Sequence, residues 1–355
     1  LSKWDAVVKA LDKAGVNDKI EEEERIFLST GVPNLDYILS GKYRGGGLQS
    51  GRMVEIFGPP SAGKTQIATM LMREAQRADG AARFEDAEKA FAFPLASGFG
   101  LDLTPGPFSY SKSESFEASL YNTIDWMQTI RGAKIIEPTS PMAVIFDSLA
   151  SMVPMAKIEA MSKGAAGLNM KDKLALATAT SQELPGFVSF VEKHNVLAVF
   201  LNQMREKPGV MYGDPTTTPG GKAPEYYAST RIKLSRQILV DTAKNKVGQK
   251  ITAETTKNKV FRPWLKTSWF FRFRPDGTGY IDVLESMFEH LVERGAIKKA
   301  DKMHYEWEGG KSKKGNILNK LRQDEAKSLE MLLDMTDGLG ALDATPPAEE
   351  GEEEA

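Results

Sequence analysis

Eight consecutive residues carry the clearest chemistry in this chain. Gly58, Pro59, Pro60, Ser61, Ala62, Gly63, Lys64 and Thr65 fit the pattern G-x-x-x-x-G-K-[ST]. Glycines let backbone N–H groups approach phosphate oxygens, and a helix opening at this point would turn its positive dipole end to the same anion. Lys64 would reach the outer phosphates, and the Thr65 hydroxyl would ligate Mg²⁺. Such a site also needs a carboxylate at the end of another strand to hold the metal's water shell. Asp147, closing the apolar run AVIFD, has that placement; taken alone, an Asp there is a turn starter or helix cap. Hydrolysis further requires a base or orienting group for the attacking water. Glu85, Asp86 and Glu88 of RFEDAEKA have the right type, and position alone does not choose among them; each could equally be part of a solvated helix start. Gln203, ending VLAVFLNQ, could sense the γ-phosphate or simply bond to backbone at a strand end.

These residues need an α/β framework. MVEIF (53–57) is β-rich, and 64–78 has a helical pattern with Ile67, Met70, Leu71 and Ala75 on one side. Phe116, Leu120, Ile124 and Met127 give a second helical stripe. AVIFD (143–147) and VLAVFLNQ (196–203) are continuous apolar runs that suit parallel strands covered on both faces. RIKLS (231–235) and TSWFFRF (267–273) follow as later strands. Ahead of this core, Trp4, Val7, Val8 and Leu11 place one apolar stripe on a helix over 3–14. The run Glu21–Glu24 reads as a linker, and STGVPNLDYIL as a capped turn entering a helix. Val283, Met287, Leu291 and Val292 open a smaller C-terminal unit.

Composition narrows the chemistry. The 355 residues include no Cys and three His (His194, His290, His304) that do not cluster, so disulfides, Cys-based metal sites and most His-dependent nucleophile chemistries are set aside. No apolar run reaches the roughly 18 residues of a membrane helix, and LSKWDAVVKALDKAG has no signal-peptide core. From Asp334 onward there are eight acidic residues and no Lys or Arg, which leaves a body of net charge +6 with an acidic tail. That pattern suits nucleic-acid contact with self-masking, or a solubilising tail on an average surface.

GRMVEIFGPPSAGKT, FEDAEKA, AVIFDSLASMVP, FLNQMREKPGVMYGDPTTTPGGKAPEYYAS and TKNKV, in this order and at these distances, closely resemble the RecA recombinase family. The resemblance runs from about Ser29 to Lys327, and the long GVMYGDPTTTPGG segment makes it far more specific than a lone phosphate loop. It implies that Glu88 activates water, that Asp147 is the second-strand metal carboxylate, and that Gln203 couples the γ-phosphate to the DNA-binding loop after it. Lys257 and Lys259 would reach across a subunit boundary to the neighbour's ATP. Arg205, Met211, Gly220 and Gly221 in the second DNA-binding loop, and Lys171 just beyond the first (156–169), would contact DNA. Tyr226 takes the aromatic position that relays ATP state along the filament.

The chain also departs from the family pattern. The first loop is one residue shorter than usual and has Ala166 at a common Met position; the second has Pro208 at a β-branched position. Met161 or Met211 would then substitute as base wedges. The aromatic residue that covers adenine is missing near Leu95, which leaves base packing there weaker, or supplied by Phe91 or Phe93. Such differences suit a divergent branch, viral or organellar. Residues 298–327 hold nine Lys or Arg against five Asp or Glu, which suits a secondary duplex-DNA site or a solvated helical face.

The fold implied is an α/β phosphate-loop ATPase core of RecA type, with a mostly parallel twisted sheet and helices on both faces. Residues 1–28 would be an N-terminal oligomerisation helix and linker, 29–281 the core with its DNA-binding loops, 282–333 a small α+β lobe, and 334–355 a disordered acidic tail. The function implied is ATP- and Mg²⁺-dependent pairing and strand exchange by a helical filament on single-stranded DNA. Homologous duplex would be the second partner, without a membrane partner, in the cytoplasm (the host's, for a viral chain). A ring-forming replicative helicase would share the phosphate loop and Asp147 without needing GVMYGDPTTTPGG. A non-catalytic filament regulator would not need Lys64, Thr65, Glu88 and Asp147 intact.

Overall fold

The computed structural model describes residues 26–162, 170–206 and 216–340, together with Val7, Lys9, Ala10 and Lys13; for 170–173, 206 and 216 it describes backbone alone. Most of the expected 3–14 helix, the Glu21–Glu24 linker, Ala166, Pro208, Met211, the side chain of Lys171 and the tail from 341 lie outside the described residues.

Nine strands form one sheet: β1 (Arg52–Gly58), β2 (Ala81–Asp86), β3 (Phe108–Ser111), β4 (Met142–Asp147), β5 (Val196–Gln203), β6 (Thr230–Val240), β7 (Lys246–Asn258), β8 (Lys266–Phe273) and β9 (Gly279–Asp282). Their spatial order is β9-β8-β7-β6-β1-β5-β4-β2-β3. From β6 through β1 to β3 every pairing is parallel; β6 to β9 form an antiparallel meander. The helices are α1 (Pro33–Ser40), α2 (Lys64–Arg77), α3 (Phe93–Gly98), α4 (Phe116–Gly132), α5 (Met155–Ser162), α6 (Met170–Lys193), α7 (Ala223–Tyr227), α8 (Val283–Glu293), α9 (Lys314–Leu321) and α10 (Glu325–Asp334).

The two-residue period of a strand sends alternate side chains of β5 into two cores. Leu197, Val199 and Leu201 join Ile67 and Leu71 of α2, while Val196, Ala198 and Phe200 join Leu120 of α4 and Phe187 of α6. Because both faces are covered, the strand reads as an unbroken apolar run. The Asp36 carboxylate accepts bonds from the Thr30 N–H (2.8 Å) and from the Thr30 and Ser29 hydroxyls (2.6 Å each), which fixes the turn entering α1.

A third core joins α8, α9 and α10 through Met287, Phe288, Leu318 and Leu332. This lobe is tied to the sheet by Arg322–Asp282 at 2.5 Å and by Arg272 of β8 with Glu285 of α8; Lys314 of α9 pairs with the same Glu285 at 2.9 Å within the lobe. Its packing continues past Asp334, since Leu339 sits against the same cluster. His290 of α8 is buried and bonds through Nε2 to the Tyr43 hydroxyl at 2.8 Å. Burial, with Arg294 nearby, pushes its imidazole down to about 4. The folded state therefore binds fewer protons than the unfolded state between about pH 6.5 and 4, and stability falls as pH drops through that window. The full effect is roughly 3 kcal/mol. Urea unfolding at pH 7.5 and 4.5 is expected to show a steeper acid loss in the wild type than in His290→Gln. Equal losses would mean that His290 titrates normally.

Candidate functional site

β1 ends at Gly58, and α2 begins at Lys64 behind Gly63, whose left-handed φ of +84° closes the turn. An added Cβ at Gly63 would lie 2.8 Å from Ile251 Cδ1 on β7 and would be strained at this φ in any case. Within the loop, Ala62 is buried, Pro59 half-buried, and Pro60 and Ser61 exposed. The Lys64 ammonium donates to the carbonyls of Gly58 (3.0 Å) and Pro59 (2.9 Å), which holds it along the loop. The Thr65 hydroxyl donates to Asp147 Oδ2 at 3.0 Å, so the metal-ligand pair read from the sequence meets across two elements.

The three carboxylates of RFEDAEKA separate clearly. Glu85 and Asp86 are buried strand residues, contrary to a solvated helix start. Glu85 is held by Arg83 Nε at 2.7 Å and Ser113 Oγ at 2.7 Å. Asp86 accepts from the N–H groups of Ala90 and Phe91 (3.1 Å each) and from the Tyr110 hydroxyl (2.7 Å). Glu88 is exposed and shares the pocket with Lys64, Thr65, Asp147 and Gln203. Its Oε1 accepts from the Gln203 amide at 2.9 Å and from the Ser148 hydroxyl at 2.5 Å.

Burial, with the negative charges of Glu88 and Asp86, pushes the Asp147 carboxyl up to about 6. Burial also lowers the Lys64 ammonium. Immediately around Asp147 the Lys64 ammonium faces the carboxylates of Asp147, Glu88 and Asp86, a local excess of negative charge that a divalent ion at Thr65–Asp147 would relieve, so these residues fit Mg²⁺; Arg236 and Lys246 also line the cavity. The cavity holds about 680 Å³, within the range for a small-molecule site.

The far wall of this cavity is a feature that the sequence reading missed. Arg236, Ile238, Gln249, Phe271 and Phe273 line it, from β6, β7 and β8, where these strands run on beyond the phosphate loop. The register places Ile238 opposite Gln249 and Gln249 opposite Phe271, all on one face. Phe91 and Phe93, expected to pack the base, do not line this cavity: Phe91 is buried against Phe84 at 4.1 Å, and Phe93 packs on Phe91 and Tyr110 at 5.0 Å each. Gln66 lines the cavity too, and its Nε2 is buried with no partner among the described residues. Period two in TSWFFRF, with Trp269 inward, puts Phe271 and Phe273 on one face; nothing local placed that face beside the phosphate loop.

The segment after Gln203 begins and ends on a two-stranded stub, Arg205–Glu206 against Thr216–Thr217. Arg205 is exposed there. Gly220, at φ +95°, is buried; its carbonyl accepts from Thr180 of α6 at 2.7 Å, and a Cβ would meet Leu149 at 2.9 Å. A Cβ on Gly221 would meet Ala177 at 2.8 Å, so these two glycines serve close packing against α6 and the 149–151 turn. Lys257 and Lys259 are not brought to the phosphate loop of their own chain. Lys257 pairs in register with Arg231, and its ammonium caps α7 at the Glu225 and Tyr226 carbonyls, 2.8 Å each. Burial, Lys259 and Arg231 lower its pKa. Tyr226 beside it is 77% exposed.

The sequence model of the RecA N-terminal domain matches residues 9–273. The RecA protein of Chloroherpeton thalassium is 36% identical over 302 residues, which cover 84% of this chain and 77% of that protein. The chain belongs to the RecA family. Rubrobacter xylanophilus RecA is 35% identical over 274 residues, 77% of this chain and 72% of that protein. The crystal structure of the RadB recombinase aligns at 18% identity and a TM-score of 0.46, over 71% of this chain and 98% of that one. The phosphate loop and β1–β8 lie within the RecA-matched span, and the lobe from α8 follows it. No helix among the described residues is long and apolar enough to cross a membrane.

Proposed function

We propose that this RecA-family protein is an ATP-dependent DNA recombinase that assembles on single-stranded DNA and pairs it with homologous duplex. The observation that carries this reading is the contact of Glu88 with Gln203, because Gln203 leads within two residues into the stub of the 207–215 segment. One polar contact therefore joins the group that handles water to the segment read as the DNA-binding loop.

In this reading Lys64 and the backbone of Gly58–Thr65 bind the phosphates, Thr65 and Asp147 hold Mg²⁺, and Phe271 and Phe273 pack the base. The ion supplies charge neutralisation of the phosphates when bound. Glu88 accepts the proton of the water that attacks the γ-phosphorus, with ADP as leaving group. Gln203 holds the Glu88 carboxylate in place and reports on the same phosphate. Lys257 and Lys259, remote from their own phosphate loop, serve the ATP of a neighbouring subunit, and Arg205, Lys171 and Met211 meet DNA.

ATP hydrolysis is expected to rise when single-stranded DNA is added; a rate indifferent to DNA would contradict this function. The aromatic wall gives a second expectation. Phe273→Ala removes a stacking surface worth about 1–3 kcal/mol. The KM for ATP is expected to rise roughly tenfold, since each 1.4 kcal/mol is a factor of ten, with kcat little changed. An unchanged KM would place the base elsewhere.

A further inference from the structure

Several elements of the site converge on one carboxylate that the reading above leaves unused. Glu55 of β1 is 0% exposed. It accepts from Asn202 Nδ2 on β5 at 2.9 Å and from Arg231 Nε on β6 at 2.7 Å. The same Asn202 amide donates to the Pro219 carbonyl at 3.0 Å, and its Oδ1 accepts the Gln203 N–H at 3.0 Å. Arg231 continues outward: Nη2 reaches Thr218 Oγ1 at 3.5 Å, Nη1 lies 3.3 Å from Glu225 of α7, and the guanidinium covers the Phe57 ring at 4.8 Å.

A buried carboxylate is costly unless its oxygens are occupied, and apolar residues could join three strands at less cost. What a satisfied polar network adds is a defined geometry. This one fixes two things at once: the backbone of Gln203, and the return stem Thr216–Pro219 of the segment that Gln203 feeds. Three residues beyond Glu55 on the same strand lies Gly58, where the phosphate loop begins.

We propose that Glu55 is a positioning residue that, through Asn202 and Arg231, locks the return stem to the Gln203 strand, so that nucleotide and DNA bias the same arrangement. The proposal rests on the reading of a DNA-dependent ATPase. Its readout is a coupling factor: how much ATP tightens single-stranded DNA binding, which linkage makes equal to how much DNA tightens ATP binding.

Glu55→Gln keeps the shape but turns an amide donor toward two donors. Its coupling factor is expected to fall at least about tenfold, with ATP affinity in the absence of DNA near wild type and a lowered melting temperature, because Arg231 loses its buried charged partner. A merely architectural Glu55 would lower melting and ATP affinity while leaving the coupling factor intact, and that result would overturn the proposal. If Glu55→Gln does not fold, Asn202→Ala, which leaves the Glu55–Arg231 pair in place, is expected to show the same loss; an intact coupling factor there would overturn the proposal equally. Absence of any coupling in the wild type would instead contradict the reading on which the proposal rests.

Discussion

Glu88→Gln is expected to lower ATP hydrolysis by about 100-fold or more, the range attributed to a positioned general base, while ATP binding stays within a few fold of wild type. The amide retains an oxygen to accept from Gln203 and Ser148, so the pocket keeps its shape. It lacks the basicity to take a proton from water. With hydrolysis slowed and binding intact, the variant is expected to stay on single-stranded DNA far longer than wild type after ATP is added. Single-turnover hydrolysis and DNA dissociation, measured together, check both halves. A wild-type rate would move the base elsewhere, and the geometry makes that a demanding outcome. Glu85 is held by Arg83 and Ser113, and Asp86 by two backbone N–H groups and Tyr110.

The second large effect concerns Lys257 and Lys259. Cations supplied in trans to a transferring phosphoryl group are worth up to roughly 10³–10⁵ in rate. The double substitution to Ala is therefore expected to cost about 100-fold or more of DNA-stimulated hydrolysis. ATP affinity of the dilute, unassembled chain should hold, because neither lysine lines its own phosphate-loop cavity. Lys257 also caps α7 through two carbonyls, so its loss has a local structural cost. Lys259→Ala leaves that cap in place and separates the two contributions. Full activity of the double variant, or full DNA-independent activity of wild type at high dilution, would defeat the subunit-boundary role.

The parallel half of the fold was legible because its strands are apolar on both faces: VLAVFLNQ coincides with β5, and MVEIF lies inside β1. The helical stripes of α2, α4 and α8 were equally plain. β2 was hidden because Arg83, Glu85 and Asp86 occupy a buried strand, where an internal ion pair and five further hydrogen bonds replace apolar packing. β7 was missed because its inward Gln249, Ile251, Ala253 and Thr255 alternate with Lys250, Thr252, Glu254 and Thr256, a mixed pattern with no apolar run. The phosphate loop and Asp147 could be named because one follows and the other ends a legible strand, whereas Glu88 was chosen over Glu85 and Asp86, and Gln203 given its coupling role, through the family resemblance alone. The far wall of the cavity could not be named, since Phe271 and Phe273 reach the loop only through the register of β6, β7 and β8. Gly220 and Gly221 were assigned to DNA from the resemblance; the fold adds that the Gly220 carbonyl bonds to Thr180 of α6 and that Gly221 lies exposed beside Ala177.

The most direct test of the central claim is a strand-exchange reaction. The protein is incubated with ATP, Mg²⁺ and circular single-stranded DNA, then given a linear duplex that is either homologous or unrelated in sequence. The account predicts joint molecules with the homologous duplex alone, none when ATP is omitted, and none with Lys64→Ala. Unwinding of a forked duplex without any joint molecules would contradict it and favour a helicase built on the same phosphate loop.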